Sequence, residues 1–198
     1  MKKSGFTLAE VLITLVIIGV IAAMTVPTLM NNTNSQEFRS ALKKAISALN
    51  QAVTMHYALE GELVSEYASA SDVVSNIFAT RLNVINSGDA TTNNWLGSGT
   101  GACTGTVFIT ADGIAYCIQN YTGNQNNNRE AACDNFGNNP CSTSNPNVLI
   151  DVNGLKKPNK LTTASTQPKD IYQALLYSQR VVPYGDATQQ VMYDANLQ

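Results

Sequence analysis

The side chain most capable of a specific chemical role is that of Glu10, an acid among apolar residues near the start of the chain. It is the only ionisable side chain between Phe6 and Met30. A charged residue at the centre of a membrane-spanning helix costs about 2.5–3.5 kcal/mol, and less near its end, so this carboxylate needs a partner. Three partners fit the sequence: the backbone amide of Thr7 in a capping box, a group at Phe6 four residues away, and a group on another molecule.

The rest of the chain offers little material for catalysis. Its 198 residues include one histidine, His56, and neither a G-x-S-x-G sequence nor a glycine-rich phosphate loop. His56 and its neighbour Met55 lack the companions that a metal site needs, so surface or edge packing is expected for both. We therefore expect no enzymatic activity and no resident cofactor, apart from the calcium considered below.

The element that must position Glu10 is an apolar run long enough to cross a membrane. From Phe6 to Met30 there are about 25 residues, and a helix of that length exceeds the roughly 30 Å of a bilayer core. Lys2 and Lys3 precede the run, and no basic residue follows before Arg39. The positive-inside rule therefore keeps the N terminus in the cytoplasm and exports the rest. A secretory signal would have a shorter apolar core and a polar cleavage region.

The segment KKSGFTLAE closely resembles the leader of type IV prepilins and type II secretion pseudopilins. The resemblance implies that residues 1–5 are a leader, that prepilin peptidase cuts after Gly5, and that Phe6 becomes the methylated N terminus. It implies that Glu10 meets the N-terminal amine of a neighbouring subunit. It also implies a single pass through the inner membrane, contact with its lipid and an assembly platform, and then a periplasmic or cell-surface filament of identical or related pilin subunits.

Beyond the apolar run, the sequence predicts an amphipathic continuation of the same helix. Gly19 and Pro27 interrupt the run and predict a kink. Apolar residues then recur at spacings of three and four, and Gly61 is a stop signal. The recurring positions are Phe38, Leu42, Ile46, Leu49, Val53 and Tyr57. We expect a transmembrane or filament-core helix over 6–30, its amphipathic continuation over 31–60, and an extracytoplasmic globular domain over 61–198.

The globular domain is expected to be α+β and pilin-like, with the long helix packed on a small antiparallel sheet. A second helix is predicted from about Ser71 to Ile85, ended by the polar residues 86–89. Strands are predicted at 107–110, 114–118, 148–152 and 179–184. The first two of these strands flank Asp112-Gly113 and are typical of a hairpin.

Four cysteines lie in the exported, loop-rich part of the chain: Cys103, Cys117, Cys133 and Cys141. An oxidising compartment permits two disulfides, and three pairings are open. We favour Cys103 with Cys117 and Cys133 with Cys141, although a two-residue turn at Asp112-Gly113 would place Cys117 opposite Phe108. Zinc is disfavoured because no C-x₂-C spacing occurs.

The stretch that begins Asp151-Val152-Asn153-Gly154 resembles a D-x-N-G-x-x-x-P-N segment of pseudopilin-like C-terminal domains. In major pseudopilins the loop after such a segment binds calcium, and this implies Asp151, Asn153 and Asp170 as oxygen ligands. Four lysines crowd the same region: Lys156, Lys157, Lys160 and Lys169. The favoured alternative is therefore an Asx-type turn at Asn153-Gly154 that ends a strand.

The charge balance bears on the remaining classes of function. With 12 basic and 14 acidic residues the chain carries a net charge of −2, so strong nucleic-acid binding is not expected. A filament subunit is the preferred interpretation, either of a secretion pseudopilus or of a type IV pilus. The alternative is a monomeric, membrane-anchored extracytoplasmic binding domain, which would tolerate an apolar replacement of Glu10.

Overall fold

The computed structural model describes Gly5 and residues 7–89, 103–119, 147–154, 156, 159–162 and 169–193. For residues 27–34 and 147 it describes the backbone alone. Phe6, Cys133 and Cys141 lie outside the described residues, so the second predicted disulfide is a prediction still. The chain divides into two compact units, Met1–Glu37 and Phe38–Gln198.

The first unit contains the beginning of helix α1, which runs from Leu8 to Glu60. Its stretch Leu8–Val26 is long and apolar enough to cross a membrane, and none of it is buried. The helical backbone continues through Gly19 and Pro27. The kink at these residues and the division of the helix at residue 30 stay predictions.

In the second unit, one face of α1 is buried against the rest of the domain. The buried apolar positions recur with helical periodicity, as predicted: Leu42, Ala45, Ile46, Leu49, Ala52 and Val53. Tyr57, which was predicted to extend this face, is instead 43% exposed. The buried face drifts to His56, which is 3% exposed, so a surface position is wrong for this residue. The other expectation, edge packing, agrees with its ring contact to Tyr67 at the end of α1.

Helix α1 ends where the sequence places its stop signal. Gly61 has φ +77° and its amide donates to the carbonyl of Tyr57 over 3.0 Å. This is the left-handed C-terminal residue that glycine adopts without a steric penalty.

Short helical segments connect α1 to the sheet. After a 3₁₀ turn at Val64–Glu66 come α2 (Ala70–Val73), a π-helical turn (Val74–Phe78) and α3 (Ala79–Arg81). The hydroxyl of Ser69 caps α2 by accepting from the amide of Asp72 over 3.1 Å. The predicted extension of this helix to Ile85 is wrong, because the chain turns into a strand at Val84. Ile85 lies at a bulge in that strand and is 64% exposed.

Six antiparallel strands form one sheet in sequence order. They are β1 (Val84–Asp89), β2 (Thr106–Thr110), β3 (Ala115–Ile118), β4 (Asn147–Asp151), β5 (Ile171–Leu176) and β6 (Val181–Tyr184). A last helix, α4 (Asp186–Tyr193), follows β6. The four predicted strands are present as β2, β3, β4 and β6, whereas β1, β5 and α4 were missed.

The main core lies between α1, the short helices and one face of the sheet. At its centre the rings of Phe78, Phe108 and Tyr116 stack, with centroid distances of 5.2 and 4.9 Å. The opposite face carries a smaller buried cluster of Val107, Cys117, Leu149 and Ile171. The sheet is thus apolar on both faces, which is consistent with the expected α+β class.

Candidate functional site

Glu10 forms a reciprocal capping box with Thr7 at the start of α1. The Glu10 carboxylate oxygen Oε2 accepts from the Thr7 amide and from the Thr7 hydroxyl, each over 2.8 Å. The Glu10 amide in turn donates to the Thr7 hydroxyl oxygen over 3.3 Å. The backbone amide of Thr7 was one of the three partners that the sequence predicted for Glu10. Both contacts from Thr7 use Oε2, so the second carboxylate oxygen is the one available to another molecule.

The β2–β3 hairpin turn is held by backbone hydrogen bonds. The amide of Thr110 donates to the carbonyl of Ile114, and Gly113 has φ +86°, so the loop has three residues. A two-residue turn would place Cys117 opposite Phe108, but the longer loop places it opposite Val107. The left-handed glycine at the third loop position is the usual way for a hairpin to accommodate the extra residue.

A disulfide joins Cys103 to Cys117, the first of the two pairs favoured from the sequence, with the Cα atoms 6.0 Å apart. It ties the segment that leads into β2 to β3 and lies in the cluster on the outer face of the sheet. Beside it the amide and hydroxyl of Thr104 both donate to the side-chain oxygen of Gln119, over 2.9 and 2.6 Å.

The hairpin turn is also bonded to α1. The Lys44 ammonium lies 2.8 Å from the Asp112 carboxylate. Burial alone would raise the pKa of Asp112, but hydrogen bonds from Lys44 and from the Thr110 hydroxyl outweigh it and hold that pKa below its ordinary value. The turn is therefore anchored by a charged contact on a partly exposed surface, where such pairs contribute modestly to stability.

Two acids predicted as calcium ligands, Asp151 and Asp170, are completely buried at the same end of the sheet. The two oxygens of Asp170 accept from the amides of Asn159 and Lys160, over 2.6 and 2.7 Å. Oδ1 of Asp151 accepts from the amide of Asn153 over 3.2 Å. Burial and the negative charge of Asp170 raise the pKa of Asp151 to about 8. An Asx turn is thus present, with Asp151 as its acceptor.

Several buried oxygens near this turn have no hydrogen-bond partner among the described residues. They are Asp151 Oδ2, Asn153 Oδ1 and Asn159 Oδ1. Unsatisfied buried oxygens favour a bound cation or water. Asp170 fits less well as a ligand, because backbone amides occupy both of its oxygens. Within the described ranges, no three or more histidine, cysteine or acidic side chains are grouped as metal ligands.

A group of three polar side chains, of which His56 is buried, links the end of α1 to the loop that follows it. The Tyr67 hydroxyl donates to the Glu62 carboxylate over 2.6 Å and lies 2.9 Å from Nε2 of His56. Burial and the neighbouring Glu62 raise the pKa of Tyr67 to about 12. No signal in the sequence distinguishes this contact from ordinary packing.

Comparison with known proteins decides the nature of the N-terminal segment. Residues 1–26 match the protein family described as the prokaryotic N-terminal methylation motif. The chain carries a prepilin-type methylation motif. This motif includes both members of the Thr7–Glu10 capping box and the predicted processing residues Gly5 and Phe6, and it ends with Val26, the last residue of the membrane-length stretch.

Two proteins of type II secretion systems are similar in sequence to part of this chain. The chain is 38% identical over 55 residues to the type II secretion system core protein G of Aeromonas hydrophila. It is 40% identical over 55 residues to the protein of the same name from Escherichia coli (strain K12). These alignments cover 28% of this chain and 38% and 37% of the relatives, so the chain matches well under half of their length. No solved structure matches the chain.

Proposed function

We propose that this protein is a structural, non-enzymatic subunit of a secretion pseudopilus or type IV pilus-like filament. The observation that carries the proposal is the methylation motif over residues 1–26, which coincides with an apolar helix that is exposed on all sides. A helix that is apolar all round requires a lipid or protein environment. The inner membrane would supply the first environment before assembly, and other pilin subunits, identical or related, would supply the second.

The proposed processing follows from the position of the motif. Prepilin peptidase cuts after Gly5 and methylates Phe6, and an inner-membrane platform then incorporates the subunit. The globular domain lies outside the cytoplasm and Glu10 binds the N-terminal amine of a neighbouring subunit. Because the cap uses one oxygen of Glu10, the other is left for this second contact.

Replacement of Glu10 by Gln tests the negative charge of this residue separately from its role in the capping box. Glutamine can still complete a capping box, whereas it has no charge to offer an amine. In cells that hold a complete assembly system, we expect both Glu10→Gln and Glu10→Ala to be inserted and processed but to be lost from the sheared filament fraction. Thr7→Ser, which retains the hydroxyl, is the matched control and should assemble.

Normal assembly of Glu10→Gln would contradict the role of the charge. Absence of the wild-type protein from sheared filaments would instead favour the membrane-anchored monomer. Mass spectrometry of the mature N terminus tests the processing step directly. We expect loss of residues 1–5 and addition of one methyl group at Phe6, and both should disappear when a large residue replaces Gly5.

We propose separately that a cation such as calcium binds at the Asp151 turn. It is supported by the three buried oxygens of Asp151, Asn153 and Asn159 that have no partner among the described residues. These residues would hold the ion, which would neutralise the buried acids. A melting temperature that falls on addition of chelator, and does not fall for Asp151→Asn, is the expected result. An equal response of both proteins would contradict the proposal.

A further inference from the structure

The two edges of the sheet differ in whether their outer backbone groups are bonded. Strands β1 and β6 form these edges. On β6, the Asn50 side chain bonds both the amide and the carbonyl of Val181. Nε2 of Gln189 donates to the carbonyl of Pro183 over 3.4 Å, and proline has no amide hydrogen to offer. The edge at β6 is therefore closed to a further strand.

On the other edge, the backbone of Ser87 points away from the sheet. The amide of Ala111 donates to the carbonyl of Asn83 over 2.9 Å, so Ala111 faces the side of β1. Ile109, two positions earlier, faces the same side, because the bonding groups alternate along a strand. Ile109 pairs with Asn86, whose backbone groups therefore face β2. The next residue, Ser87, presents its amide and carbonyl to the open side of β1.

Strand β1 carries none of the usual devices that block a sheet edge. Among the described residues, no backbone group bonds to the outward amide or carbonyl of Ser87. The strand is largely exposed, and Ile85 is 64% exposed. Its sequence contains neither proline nor lysine, and Asp89 is its one charged residue. An edge of this kind is a template for an added strand.

The contacts open to identical subunits leave this edge to a different chain. Subunits of a helical filament meet through heterologous contacts, in which two different surfaces face each other. For the edge of β1 the complementary surface would be the edge of β6, which is closed. Two β1 edges could meet only in an isologous pair, and such a pair ends after two copies.

We infer that the edge of β1 binds an extended segment of a different protein as an added strand. This inference rests on the proposed function, which sets the contacts open to identical subunits. Main-chain hydrogen bonds supply the affinity of such a contact, and neighbouring side chains supply its specificity. Antiparallel pairing is the commoner kind, and it brings the start of the added segment beside Asp89 and its end beside Ile85. The segment that fits has a basic residue first, an aliphatic residue last and no proline between them.

A synthetic peptide tests the edge on the full-length protein in detergent. The probe is the fluorescently labelled, C-terminally amidated peptide of sequence KTVTV, and fluorescence anisotropy measures its affinity. Ser87→Ala leaves the backbone unchanged and should bind the probe like the wild type. Ser87→Pro removes the outward amide and should weaken binding by about ten-fold or more.

A modified probe makes the test independent of how a variant folds. Methylation of the backbone nitrogen of the central valine removes the donor that would face the Ser87 carbonyl. We expect this peptide to bind the wild type about ten-fold or more weakly than the unmodified probe.

Equal binding of the two peptides to the wild type would overturn the inference, and so would equal binding of the probe by Ser87→Pro. Absence of binding to the wild type would also overturn it. A wild-type dimer that Ser87→Pro dissociates would do the same, because a second copy would then be the occupant. Recovery in sheared filaments is measured separately. A wild type that binds the probe in the expected pattern but never enters filaments would contradict the proposed function while supporting the site on β1.

Discussion

Asn50 of helix α1 pairs with the backbone of Val181 as a neighbouring strand would. Its Nδ2 donates to the Val181 carbonyl over 2.8 Å, and its Oδ1 accepts from the Val181 amide over 2.8 Å. Val181 begins the edge strand β6, so a single side chain connects α1 to a residue 131 positions away. The helix thereby satisfies backbone groups of the sheet directly.

Removal of this amide should destabilise the domain. Asn50→Ala leaves a donor and an acceptor of Val181 without partners, and we expect the free energy of unfolding to fall by about 1–3 kcal/mol. Urea denaturation measures the loss. Gln51→Ala is the matched control, because Gln51 is exposed and its bond among the described residues is to Ser47 of the same helix. Equal effects of the two substitutions would contradict the role given to Asn50.

Gly154 is constrained both by its backbone angle and by its neighbour. It has φ +68°, and a Cβ at this position would overlap the carbonyl oxygen of Gly113. Gly61 has φ +77° but nothing near its Cβ position. Gly61→Ala should therefore cost about 1 kcal/mol from the backbone alone, and Gly154→Ala about 2–4 kcal/mol because the clash is added. Similar losses of stability in the two variants would refute the close approach of the two turns.

The raised pKa of Asp151 predicts how stability depends on pH. The unfolded carboxyl loses its proton near pH 4, whereas the folded one, with a pKa of about 8, retains it. The folded state therefore binds more protons between pH 4 and pH 8, and stability falls as pH rises through that range. Asp151→Asn should match the wild type near pH 4 and exceed it at pH 8. Chemical denaturation in the presence of chelator measures the difference, and a wild type that is no less stable than the variant at pH 8 would contradict it.

The disulfide between Cys103 and Cys117 should stabilise the hairpin strands. It closes a loop with a sequence separation of 14 residues, for which chain entropy predicts a contribution of about 3 kcal/mol. Replacement of both cysteines by alanine should lower the free energy of unfolding by about that amount. Unchanged stability without the first pair would show that the bond is not a structural constraint.

Features governed by local rules could be predicted from the sequence. The end of α1 at Gly61 and the hairpin at Asp112-Gly113 follow from backbone preferences of single residues, which neighbours in space rarely override. The capping box of Thr7 and Glu10 follows from a spacing of three residues. The membrane-length stretch follows from composition alone.

Features decided by distant contacts were missed or misplaced. The apolar spacing that favoured a helix through Ile85 was overridden by pairing of β1 with β2, which leaves Ile85 exposed at a bulge. Strand β5 has both faces buried, so it lacks the alternation that identifies a strand. The contact of His56 with Tyr67, and the amides that occupy Asp170, depend on loops whose paths the sequence does not specify.

The order of the strands has a consequence for how the domain is made. Each of the described strands pairs with its neighbours in sequence order, so each addition to the sheet closes a shorter loop than pairing with a more distant strand would. The sheet can therefore grow one strand at a time, in the direction of synthesis, on the strand that precedes it. The bonds between Asn50 and Val181 differ, because they join helix α1 to a strand that is made much later. The Asn50 side chain can therefore form these bonds only late in synthesis, because they join one of the first elements made to one of the last.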